Sequence, residues 1–177
     1  MIKRELYMNR IRPFIGGELI KVMTGIRRSG KSVMLELIKE ELAEAGVAPS
    51  QMISINFEDM RYSHLQTATA LHDEIIKRAE GIEGKAYLFF DEIQEVEGWE
   101  KCVNSLRVAL DCDIYITGSN AKLLSGELAT YIGGRYVEFV IYPFSFAEFL
   151  ELYHTIAPSD SIQQCFQKYL LAGGMPY

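Results

Sequence analysis

Gly25-Ile26-Arg27-Arg28-Ser29-Gly30-Lys31-Ser32 constrains this chain more than any other stretch. It satisfies G-x-x-x-x-G-K-[ST] at every fixed position, the pattern of a phosphate-binding P-loop. Glycines at 25 and 30 allow a backbone bend that a Cβ would obstruct. Such a bend turns several N–H groups inward, where they bind phosphate oxygens. A helix starting near Lys31 adds the positive end of its dipole. Lys31 is expected to reach the β- and γ-phosphates, and Ser32 to offer its hydroxyl to Mg²⁺.

The flanks fit that reading. Leu19 to Thr24 is a short, mostly apolar strand. After the loop, Met34, Leu35, Ile38, Leu42 and Ala45 recur at helical spacing, with Glu36, Lys39, Glu40, Glu41 and Glu44 on the other face. The motif therefore lies between a strand and a helix, as its chemistry requires.

The same alternation continues downstream. Strand two covers Met52 to Phe57, and Leu65, Ala68, Leu71, Ile75, Ile76 and Ala79 mark a helix. Ala86 to Phe90 is a continuous apolar run, expected of a buried parallel strand. Trp99, Val103, Leu106 and Leu110 give another helical face, Ile114 to Thr117 a fourth strand, and Val137 to Ile141 a fifth. Ser145 is placed to cap a helix from Phe146 to Tyr153, and a last helix spans Ile162 to Leu171. This predicts an α/β protein, a three-layer α/β/α sandwich on a parallel five-stranded sheet ordered 5-1-4-3-2. No internal linker or repeat divides residues 1–177, so one domain is expected.

Asp91 and Glu92 close the third strand, at the sheet end where open α/β folds bind ligands. Asp91 is expected to hold Mg²⁺, largely through water. Glu92 is expected to orient or deprotonate an attacking water. At the tip of strand four, Ser119 is the first choice for sensing the γ-phosphate and Asn120 the second. Arg135, just before strand five, can reach a neighbouring copy's nucleotide as an arginine finger or form a local salt bridge. Asn56 is placed to restrain Glu92. Pro13 and Phe14 are expected either to touch a base or simply to pack. Arg27 and Arg28 are expected to lend backbone to the cradle and pair with Glu58 or Asp59.

Net charge is −6, which argues against a broad nucleic-acid footprint. The local basic patch of Lys3, Arg4, Arg10 and Arg12 reads as a solvated helix face, with nucleotide or partner contact as the alternative. Cys102, Cys112 and Cys165 show no C-x-x-C spacing, so neither a disulfide framework nor zinc is indicated. A reduced, cytoplasmic setting follows. The N-terminus leads into no apolar segment of signal-peptide type, and no apolar run approaches membrane-spanning length. Asn120-Ala121-Lys122-Leu123 is not N-K-x-D, which disfavours guanine.

Several blocks together carry a resemblance. The loop has the form G-x-R-R-x-G-K-S. Phe90-Asp91-Glu92-Ile93-Gln94 with Trp99, and Ile116 to Ala121, follow it. Gly134-Arg135, Tyr142 to Phe149, and Gly173-Gly174-Met175-Pro176 complete the set. These resemble prokaryotic AAA-superfamily ATPases of AAA/STAND-like type, in which a P-loop domain precedes a C-terminal domain of unknown function. The resemblance implies ATP as the nucleotide, with Mg²⁺, and a missing C-terminal domain or homo-oligomer partner that completes the site. It implies slow hydrolysis by this stretch alone. A switch that holds ATP with little turnover is the main alternative, and a small-molecule kinase the second.

Overall fold

The computed structural model describes residues 2–118 and 132–175. Five strands, β1 (Ile20–Thr24), β2 (Met52–Asn56), β3 (Ala86–Asp91), β4 (Cys112–Thr117) and β5 (Tyr136–Val140), form one sheet. Their order is β2-β3-β4-β1-β5, and every pairing is parallel. Read from the opposite edge this is the expected 5-1-4-3-2 order.

Side chains of a strand alternate between faces, and the two cores follow that period. Val22, Leu88, Phe90, Ile114 and Ile116 pack on one face with Leu71 and Ile75 of α3 (Ala68–Ala79) and with Trp99, Val103 and Leu106 of α4 (Trp99–Ala109). Met23, Phe89 and Tyr115 pack on the other face with Tyr7, Met8 and Ile11 of α1 (Glu5–Ile11) and with Met34, Leu35 and Ile38 of α2 (Lys31–Glu44). Covering both faces explains why β1, β3 and β4 are nearly uninterrupted apolar runs while the edge strands β2 and β5 are partly exposed.

Two helices, α5 (Phe146–Ile156) and α6 (Ile162–Ala172), follow the sheet and pack on each other through Phe146, Phe149, Phe166 and Tyr169. Each begins with a capping box, Ser145 with Glu148 and Ser161 with Gln164. α1 ends at Ile11 and passes into a 3₁₀ turn over Arg12–Phe14, where Pro13 cannot continue the helical hydrogen bonding.

At the strands' N-terminal end, Lys21 and Asp113 form a fully buried ion pair. Asp113 also accepts from the Gly16 amide and the Tyr115 hydroxyl, each at 2.7 Å, so it pins the Gly16-Gly17 turn to β4. Burial pushes Lys21 below its ordinary pKa, and Asp113 opposes this.

At the other end the register aligns the strand tips. Asn56 stands opposite Asp91, and Met23 opposite Thr117. This edge carries the candidate site.

Candidate phosphate and metal site

The bend between β1 and α2 depends on its glycines. Gly25 has φ +148°, and a Cβ there would lie 2.2 Å from the Ile141 carbonyl oxygen. No other residue fits so close to the backbone leaving β5. Gly30, at φ +97°, is the left-handed residue that opens α2.

Lys31 is nearly buried, yet its ammonium is weakly engaged. Its Nζ lies 3.4 Å from the Gly25 and Ile26 carbonyl oxygens and 3.7 Å from Glu92 Oε1. An ammonium with three donors and only long contacts suits an anion arriving from the open side. Ser29 Oγ is buried without a hydrogen-bond partner among the described residues. A cleft of about 420 Å³ opens over the loop, with Arg28, Gly30, Lys31, Ser32, Glu58 and Glu92 among its walls. That volume is in the range of small-ligand sites.

Asp91 is buried at the tip of β3. Its Oδ1 accepts from the Thr117 hydroxyl and its Oδ2 from Asn56 Nδ2 at 3.1 Å. Burial pushes its pKa above the ordinary aspartate value, while hydrogen bonds from Thr117 and Ser32 pull it back. Ser32 is therefore near enough to Asp91 to act on its charge, which places the two expected Mg²⁺ ligands on the same side of the loop. Among the described residues no three His, Cys, Asp or Glu side chains cluster as a protein-only metal cage. A hydroxyl and one carboxylate suit a magnesium ion that keeps several waters and shares phosphate oxygens.

Glu92, the residue after Asp91, has a left-handed backbone at φ +56°. Its amide donates to Thr117 Oγ1 at 3.0 Å, and its Oε2 accepts from Gln94 Nε2 at 2.6 Å. Arg4, Arg28 and Glu92 are the non-glycine residues with positive φ among those described, and all three border the loop or its acid. Strained backbone of this kind gathers at functional sites.

A family model described as an AAA domain matches residues 18–150. This chain belongs to that AAA family. It is 44% identical over 176 residues to an uncharacterized protein of Haemophilus influenzae, covering 99% of this chain and 44% of that one. It is 36% identical over 166 residues to an uncharacterized protein of Methanocaldococcus jannaschii, covering 89% and 35%. The AAA chain thus spans less than half the length of these curated relatives. Its fold resembles the Orc1 protein of Aeropyrum pernix, solved with DNA, at TM-score 0.59 and 18% identity, covering 88% of this chain and 49% of that one. It also resembles DnaA of Aquifex aeolicus, bound to AMPPCP, at TM-score 0.56 and 13% identity, covering 89% and 52%.

Within this AAA domain, Gly25 to Ser32, Asp91 and Glu92 meet at one sheet edge. Ser119 and Asn120 lie outside the described residues. Arg135 sits elsewhere: it precedes β5, at the strands' N-terminal end, and donates to Asn104 Oδ1 at 2.9 Å. Five strand residues separate it from the loop's edge, roughly 16 Å at the usual strand rise.

Other expectations need correction. Asn56 grips Asp91, its register partner, and Gln94 restrains Glu92 instead. Of the two roles expected for Phe14, packing is the one seen: it meets Phe139 of β5 edge-on. Arg4 is no solvated cation; it is 2% exposed and donates to the loop itself. Arg12 pairs with Glu5 and Glu41, while Lys3 and Arg10 are exposed. Arg27 stands 3.7 Å from Glu58 as expected. Thr117, not among the expected site residues, bonds to the Asp91 carboxylate and to the Glu92 amide. Its signal was a hydroxyl ending a buried strand beside β3.

Proposed function

We propose that this AAA domain binds ATP with Mg²⁺ over Gly25–Ser32 and hydrolyses it slowly. Lys31 and the loop amides hold the phosphates, Ser32 and Asp91 hold the metal, and Glu92 orients the attacking water. The metal would neutralise phosphate charge as the terminal bond breaks. The observation that carries this reading is the convergence of Lys31, Ser32, Asp91 and Glu92 at one edge of the sheet, around a cleft.

Gln94 favours the slow regime. A carboxylate held at 2.6 Å by an amide, with Lys31 on its other oxygen, is poorly free to take a proton. The same contact supports the switch reading, in which bound ATP sets a conformation and hydrolysis only resets it. Completion of the site falls to a region beyond this P-loop domain, or to a second copy whose Arg135 enters in trans. Arg135 is exposed and far from its own loop, so a nucleotide it served would belong to another copy; its bond to Asn104 is the local alternative. The acidic net charge does not favour nucleic acid as a direct partner of this stretch.

Phosphate release from Mg-ATP by wild type and by Glu92→Gln tests the proposal. Slow release by wild type, lost in the variant while ATP binding persists, supports hydrolysis. Nucleotide binding with no release by either protein supports the switch.

A further inference from the structure

Arg4 is nearly inaccessible, and its guanidinium joins parts of the chain that are remote in sequence. Its Nη1 donates to the Ser29 carbonyl at 2.9 Å, inside the phosphate loop. Its Nη2 donates to the Tyr142 carbonyl at 2.8 Å, on the segment leaving β5. Its Nε donates to Glu148 Oε1 at 2.8 Å, in the first turn of α5. The carbon at the centre of the fork lies 4.6 Å from the Tyr7 ring centroid and 5.0 Å from that of Phe144. The backbone at Arg4 is left-handed, at φ +45°, a conformation that costs energy in a non-glycine residue.

The bond to Ser29 has a directional consequence. In a trans peptide, a carbonyl and the following N–H point in opposite directions. Tying the Ser29 oxygen to Arg4 turns the Gly30 N–H away from Arg4, toward the cleft that Gly30 lines. The bond to Glu148 has a second consequence. Glu148 is also the capping-box residue of α5, accepting from the Ser145 amide at 2.9 Å. One guanidinium therefore fixes both the back of the loop and the start of the α5–α6 pair. Only a planar fork with several donors can hold these acceptors at once.

Resting on the ATP-binding reading, we propose that Arg4 is a positioning residue for the phosphate loop. It aims the Gly30 amide into the cleft and makes that aim depend on where α5 sits. Displacing α5 draws Glu148, and with it Arg4, off the Ser29 carbonyl and weakens phosphate binding without touching Lys31.

The test uses Arg4→Lys and the double variant Arg4→Met/Glu148→Gln. The double variant leaves no orphaned buried charge, and glutamine still serves the capping box. Titration with Mg-ATP is combined with backbone hydrogen exchange over residues 29–31 in the absence of nucleotide, and with thermal melting. Both variants are expected to bind Mg-ATP on the order of tenfold more weakly, as loss of one charge-assisted hydrogen bond implies. Exchange over 29–31 is expected to quicken while the double variant melts near wild type. A purely structural role would lower the melting temperature yet leave affinity and exchange unchanged, and that result overturns the proposal. Wild type that binds no Mg-ATP refutes the ATP reading instead. In that case unchanged exchange at 29–31 in the double variant would still overturn the positioning role.

Discussion

Thr117 donates its hydroxyl to Asp91 across the β3–β4 pair, and this bond decides how the acid is presented. The same oxygen accepts from the Glu92 amide, so one threonine at a strand tip sets both acids. Thr117→Val keeps the shape and removes the bond. A cost of about 1–3 kcal/mol in stability is expected, because Asp91 loses a buried donor. Chemical denaturation measures it. The Mg²⁺ dependence of ATP binding is expected to weaken more than binding in EDTA.

Gln94 restrains Glu92, so its removal frees the base. Gln94→Ala is expected to raise phosphate release several-fold while leaving the affinity for Mg-ATP within about twofold of wild type. Steady-state release and titration separate the two quantities. Lower release in this variant would assign Gln94 to orienting Glu92 productively.

Lys21 and Asp113 are buried together below β1, distant from the loop. Asp113→Asn leaves the ammonium without its counter-charge and is expected to cost about 3–5 kcal/mol. Denaturant midpoints check this, and nucleotide affinity of the folded protein is expected to stay unchanged.

Acid should loosen the contact between α5 and the loop. Burial alone would raise the Glu148 pKa, but Arg4 and Ser145 outweigh it and hold the group below its ordinary value of 4.5. A depressed carboxylate contributes fully above the ordinary value, and its contribution fades as pH falls through the lowered one. Stability measured from pH 6 down to pH 3 is expected to fall in that window. Glu148→Gln is expected to flatten the fall.

The thiols should be sluggish. Burial pushes Cys112 up to about 11 and Cys102 up to about 12, and Cys165 is buried. Alkylation at pH 8 is expected to be slow until the chain is unfolded, because the thiolate is the reacting species. Mass spectrometry of timed samples reads this directly.

The sheet was legible because β1, β3 and β4 are covered on both faces and so are written as apolar runs. The loop was legible because its chemistry is local: eight consecutive residues make the bend. What escaped depends on register and long range. Asn56 meets Asp91 rather than Glu92 because parallel pairing sets it opposite Asp91, while Glu92 bonds to Gln94. Arg4 looked solvated because its neighbours in sequence are charged, whereas its partner Glu148 stands 144 residues away. No local pattern encodes such a pairing. Strand order is written in the alternation of apolar runs and helices, whereas the bond from Thr117 to Asp91 depends on how β3 and β4 are registered.

The most direct measurement is calorimetric titration of wild type and Lys31→Ala with Mg-ATP. Saturable binding by wild type, weakened about tenfold to a hundredfold in the variant, is expected from the loss of a charged donor at the phosphates. Equal affinity in the two proteins, or no binding by wild type, would contradict the phosphate site.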